Sequence, residues 1–90
     1  MSEETTEKTL VEKLRDLISP LKEMEHYSRS NIEKLSELWL LLDDGLKQKE
    51  LAKKMSDLLA CQNTFQDKVV ELSSDLEIES NRLEQEGAQQ

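Results

Sequence analysis

From Leu10 onward the apolar positions step by four and three residues along the chain. Leu10, Leu14, Leu17, Leu21 and Met24 lead into Ser28, Asn31, Leu35, Leu38 and Leu42. That spacing is the seven-residue repeat abcdefg of a long amphipathic helix. The a positions are Leu14, Leu21, Ser28, Leu35 and Leu42; the d positions are Leu10, Leu17, Met24, Asn31 and Leu38. Val11, Ile18, Ile32 and Trp39 at e widen the stripe beyond a two-stranded seam. A stripe that wide asks for more than one neighbouring helix. Pro20 interrupts it. It removes a backbone hydrogen bond inside a helix but fits a helix start behind Ser19 as N-cap. The heptad phase runs through Pro20 unbroken, which predicts a kink or brief break with the axis preserved.

Asp43-Asp44-Gly45 is the strong interior turn signal. A glycine there can take the left-handed conformation that closes one helix, and an aspartate can cap the next. Beyond it the alternation resumes at Leu51, Met55, Leu58, Gln62, Phe65, Val69, Leu72, Leu76, Glu79 and Leu83. The predicted fold is therefore all-α: an antiparallel helical hairpin with a helix over 8–42, a turn at 43–45 and a helix over 46–85. Polar ends at 1–7 and 86–90 are predicted to be disordered. One continuous helix through Gly45, pairing as a parallel coiled coil, is the alternative, because an interior glycine costs only about 1 kcal/mol.

Folding the chain back at Gly45 sets Leu38 opposite Leu51, Leu35 opposite Met55, Met24 opposite Phe65 and Leu17 opposite Leu72. The same register puts Ser28 opposite Gln62, with Asn31 one layer away. A coincident polar layer can select the register, because a wrong one leaves amides unpaired. Such a rod leaves the e row uncovered, and dimerisation into a four-helix bundle would cover it. The expected interface comprises Leu14, Leu17, Leu21, Met24, Ile32, Leu35, Leu38, Trp39 and Leu42 from the first helix. Leu51, Met55, Leu58, Phe65, Val69, Leu72 and Leu76 come from the second. Trp39 stands at the closed end, read as core there or as an interaction hot spot. Cys61 reads as a partly buried thiol, and Tyr27 and Phe65 as packing at the core edge.

Composition narrows the function. Of 90 residues, 36% are hydrophobic and 36% charged, with three glycines and prolines together, which is the composition of long helices. So short a chain struggles to bury a sufficient core alone, and a single Cys61 and a single His26 supply neither disulfide framework nor metal cluster. Association is the remaining route. The net charge of −8 disfavours direct nucleic-acid binding and anionic membranes. The apolar run Leu38–Leu42 is too short to span a bilayer, and the acidic start is no signal peptide. A lone cysteine fits the nucleus or cytoplasm. From Asp67 to Glu86 seven acids stand against two bases, an end that is exposed or meets a basic partner. No constellation for catalysis, cofactor or small-molecule substrate is present, and His26 beside Glu23 and Glu25 reads as solvated. The partners expected are a second copy and other coiled-coil proteins.

The stretch Asp16-Leu17, Leu21, Glu23-Met24-Glu25 and Ser28, the cluster Leu38–Leu41, Cys61 and the pair Glu71-Leu72 resemble the family of synaptonemal complex central element protein 3. The likeness runs from Leu10 to Leu72. It implies a hairpin that dimerises into a four-helix bundle and assembles with other helical proteins of meiotic chromosomes. The family's turn looks like Asn-Pro where this chain has Asp-Asp-Gly, its tryptophan lies further from the turn, and Pro20 has no counterpart. Ser36-Glu37-Leu38-Trp39 with Asp44-Gly45-Leu46 is similar to a motif in a small subunit of the DASH kinetochore ring. Small coiled-coil subunits of lysosome-positioning complexes are a third possibility.

Overall fold

A computed structural model of the chain describes residues 9–86, all helix and connecting turn, with no strand among them. The expectations for 1–7 and for the last four residues lie outside that range. Helix α1, Leu10–Asp16, opens on Thr9, whose hydroxyl accepts from the Glu12 backbone N–H while the Glu12 carboxylate accepts from the Thr9 N–H. This reciprocal capping box satisfies two donors that a helix start otherwise leaves without partners.

Helix α2, Ile18–Leu40, follows after a single residue, Leu17, whose N–H bonds three back to Leu14 instead of four. The break therefore sits three residues ahead of Pro20. Pro20 falls in the first turn of α2, where its missing N–H had no helical acceptor to lose. The Leu21 N–H bonds to the Leu17 carbonyl at 3.4 Å, so the ladder resumes at once. Leu17, not Ser19, occupies the cap position, without a side-chain hydrogen bond.

The predicted turn at Asp43, Asp44 and Gly45 is helical. Residues Leu41–Gly45 continue α2 as a wider π-helical turn, and the chain reverses over residues 46–48. The left-handed residue that closes the helix is Lys47, with φ 57°, rather than Gly45. The Leu46 N–H reaches Leu41 O at 2.8 Å and the Gln48 N–H reaches Leu42 O at 2.7 Å, so the last carbonyls are satisfied as in a glycine-closed helix end. A side chain at Gly45 would bring its Cβ to 3.0 Å from Cδ1 of the half-exposed Leu41, a tight contact that a shift of that side chain can relieve. Lys49 fastens the reversal by donating to the Asp43 carboxylate at 3.0 Å and to its backbone carbonyl at 3.1 Å.

Helix α3, Lys49–Gln85, then runs back along α1 and α2. Arg15 reaches Glu84, Lys22 reaches Glu77, and Ser28 reaches Gln62 and Gln66, so the two arms run in opposite senses. The molecule is a flat rod of 61 × 29 × 14 Å.

The seam between the arms differs from the predicted one. Val11, Ile18, Ile32 and Trp39 at e, with Leu14, Leu21, Leu35 and Leu42 at a, turn inward. On α3 the inward row is Ala52, Leu59, Gln66, Ser73 and Ser80, spaced by seven, beside Met55, Gln62, Val69, Leu76 and Leu83. The helices thus pack through a and e, and the d row is left outside. The physical reason lies in α3, where Ala52, Ser73 and Ser80 are small enough to disappear beneath the opposing helix. In the Ser28–Gln62 register they stand level with Trp39, Ile18 and Val11, so bulk on one helix meets lack of bulk on the other.

Two of those small residues are poorly matched chemically. The hydroxyls of Ser73 and Ser80 are buried with no hydrogen-bond partner. Replacing either by alanine removes an unsatisfied polar atom and improves helix propensity. Ser73→Ala and Ser80→Ala are each expected to stabilise the isolated chain by about 1 kcal/mol. Thermal unfolding followed by circular dichroism measures this, and a lowered melting temperature in both variants would contradict the packing described.

Candidate interaction surface

The d row of the first arm and its counterpart on α3 emerge on the same side of the rod. A shallow groove there is lined by Asn31, Lys34, Leu35, Leu38, Leu58 and Gln62, which places Leu38 and Leu58 at one opening. Met24 and Leu38 continue the row along α2, with Leu10 and Leu17 before them; Leu51, Leu58, Phe65 and Leu72 form it on α3. All are exposed, Leu58 at 53% and Phe65 at 46%. Scattered exposed leucines are ordinary, but two parallel rows along a common side form a contiguous apolar surface.

This corrects the expected pairing of Leu38 with Leu51, Met24 with Phe65 and Leu17 with Leu72. These residues share a side of the rod, but they flank the seam instead of filling it. The row left uncovered is d, not e. Tyr27 and Cys61, read as core-edge and half-buried, are both exposed. Trp39, Ile32, Leu14, Leu21, Leu35, Leu42, Met55 and Leu76 are half-buried in the seam, and Val69 is fully buried there.

The polar layer contains a residue the periodicity does not point to. Gln62 Nε2 donates to Ser28 Oγ at 2.9 Å, and Ser28 Oγ donates to Gln66 Oε1 at 3.1 Å. Ser28 is 1% exposed, so this relay satisfies a hydroxyl that burial would otherwise penalise. Asn31 lies outside the relay, exposed in the open d row beside Gln62.

The two sides of the rod differ electrostatically. On the side away from the d rows, Arg15 Nη2 holds Glu84 at 2.6 Å and Asn81 at 3.0 Å, and Lys22 lies 3.9 Å from Glu77. The hydrogen bond from Arg15 keeps the Glu84 carboxyl below its ordinary range, as Arg82 does for Glu79. A depressed carboxylate contributes stability above its unfolded-state pKa and loses it as pH falls through the folded value. Both groups are solvent-exposed, so screening keeps that contribution small.

On the open side, Lys13, Lys34, Lys54 and Lys68 are exposed, and among the described residues none forms an ion pair. Each stands three residues after one d-row residue and four before the next. They therefore border the apolar rows, as Lys34 does at the groove. The signal was present as a recurring segment: Leu10–Leu17, Asn31–Leu38, Leu51–Leu58 and Phe65–Leu72 each carry lysine at the fourth place, an acid at the seventh and leucine at the eighth.

No group of three or more His, Cys, Asp or Glu side chains able to hold a metal occurs among the described residues. No described helix is long and apolar enough to cross a membrane. Compared with protein-family models, curated proteins and solved structures, the chain matches none.

Proposed function

We propose that the protein is a non-enzymatic assembly subunit: an antiparallel two-helix rod that completes a four-helix arrangement with helices brought to its open side. The observation that carries this reading is the pair of exposed d rows flanking one groove, with the seam already closed by a and e. Covering those rows removes apolar area from water, the main favourable term in association. Two more helices laid on them would restore the layered bundle that such rows normally build.

The resemblance over Leu10 to Leu72 supports a setting in the central element of the synaptonemal complex, in the nucleus on meiotic chromosomes. A subunit of a kinetochore ring or of a lysosome-positioning complex is the second reading for the same rod. Immunolocalisation in the native source separates these settings.

The assembly reading is tested by a photo-crosslinking residue placed at position 58 on the open side or at position 53 on the back of α3. In cells, adducts are expected from 58 and not from 53. Equal adduct formation from both positions, or none from 58, would count against it.

A further inference from the structure

The lysines on the open side bear on what covers it. Lys13, Lys34, Lys54 and Lys68 recur in step with the apolar rows on both arms and have no carboxylate within ion-pairing distance among the described residues. The opposite side shows that this sequence can pair its charges across the arms, as Arg15–Glu84 and Lys22–Glu77 do. The open side therefore joins an uncovered apolar surface to a border of unpaired lysines, with Asp75 and the Arg82–Glu79 pair at its far end and Asp16, Glu37, Asp57 and Glu71 one row further out, on a chain that carries −8 in all.

We propose that the open side docks an amphipathic helix of a different protein, one whose apolar stripe is bordered by acidic side chains. This rests on the assembly reading above and names the partner's chemistry. Bordering charges select helix partners in bundles: opposite signs across the border are favourable, and like signs exclude the wrong partner. A second copy docking through the same side would bring the same lysines to the same border, so Lys13 and Lys34 would face Lys54 and Lys68 or their own copies. An acid-bordered helix supplies a carboxylate to each. The long-range repulsion from the net charge is screened beyond about 8 Å at physiological salt, which leaves the local border to decide.

The groove's shape and chemistry favour a helix over an anionic lipid surface. Its rows stand on two helices around a recessed floor that includes Leu35 and Gln62, a form that receives a ridge of side chains. Asn31 stands in the row itself, and a helix can offer its amide a hydrogen-bond partner at one fixed height where hydrocarbon cannot.

The test uses the full chain and two designed helical peptides with one leucine stripe. Glutamate borders the stripe in one peptide and lysine in the other, each kept at concentrations where it is monomeric. Fluorescence anisotropy should show the glutamate peptide binding at least about tenfold tighter, since four exposed pairs contribute roughly twofold each. The preference should shrink in high salt. Lys54→Glu with Lys68→Glu should abolish it, leaving two border lysines against two glutamates, whereas Lys47→Glu with Lys53→Glu, equal in charge but off the border, should leave it in place. Circular dichroism checks that both double variants stay helical. Binding of the two peptides within threefold would overturn the acidic-partner inference while leaving the assembly reading intact. So would tighter binding of the lysine peptide, or capture by phosphatidylserine vesicles in preference to either peptide. A homodimer dissociated by Leu58→Glu, with neither peptide bound, would assign the surface to a second copy and overturn the inference alone. A monomer that binds neither peptide and is indifferent to Leu58→Glu would overturn both.

Discussion

Leu58→Glu is expected to release the chain from its assembly while leaving its own helices intact. Leu58 is more than half exposed in the isolated rod and lies at the mouth of the groove with Leu38 and Asn31. A glutamate there meets water in the free chain, so its stability should change by no more than about 0.5 kcal/mol. Under a docked helix the situation inverts. The leucine's burial, worth about 1.5–3 kcal/mol, is lost, and a carboxylate must be desolvated against apolar side chains. Together these cost about 4 kcal/mol or more, roughly a thousandfold in affinity. Sedimentation of the native complex gives the assembly readout and circular dichroism gives the fold. Leu38→Glu repeats the experiment on the other arm. A complex that tolerates both charges would show that the open side is not an interface, and a loss of helix content would show that these leucines belong to the fold.

Trp39→Ala is expected to do the reverse, weakening the rod itself. Trp39 is half-buried in the seam and, by the register of Ser28 with Gln62, stands level with Ala52, which is 2% exposed. Deleting the indole leaves a void that the small residue opposite cannot fill. Burying a tryptophan in full is worth 3–5 kcal/mol on truncation to alanine, so about 2–3 kcal/mol is expected at this partly exposed site. For a chain of this size that lowers the melting temperature by roughly 10–20 °C. A thermal melt of the isolated protein decides the matter. An unchanged melt with loss of assembly would mean that Trp39 contacts the partner and that the seam is drawn wrongly.

These variants separate because the structure divides one wide apolar stripe into two functions. The three rows d, a and e are equally visible in the chain from Val11 to Trp39, and periodicity alone does not say which two close the rod. The deciding residues sit on the other arm. Ala52, Ser73 and Ser80 carry too little apolar weight to register as part of a stripe, yet their lack of bulk lets Trp39, Ile18 and Val11 come close. For the same reason the relay from Gln62 through Ser28 extends to Gln66, a position that polarity assigns to the surface. The lysine border was legible as a recurring segment, but its meaning depended on knowing which side of the rod stays open.

The turn teaches a related lesson. Glycine marks where a helix is free to end, and Gly45 lies inside the predicted stop. The closure nevertheless falls two residues later, on Lys47 in the left-handed region, a conformation costing about 1–2 kcal/mol for a residue with a side chain. Tertiary contacts offset that cost: the wide turn of Leu41–Gly45 and the grip of Lys49 on Asp43 deliver α3 to the register of the Ser28–Gln62–Gln66 relay.

By itself the sequence determined the helices, the region where the chain turns, and the height of the polar layer. Those follow from local periodicity and from residues that break or cap a helix, and each can be read within a few turns of chain. Only the tertiary structure decided which face of each helix is spent on its partner arm and which is left over. That choice depends on how the bulk of one surface fits the hollows of another some forty residues away, a property of two surfaces together that neither carries alone.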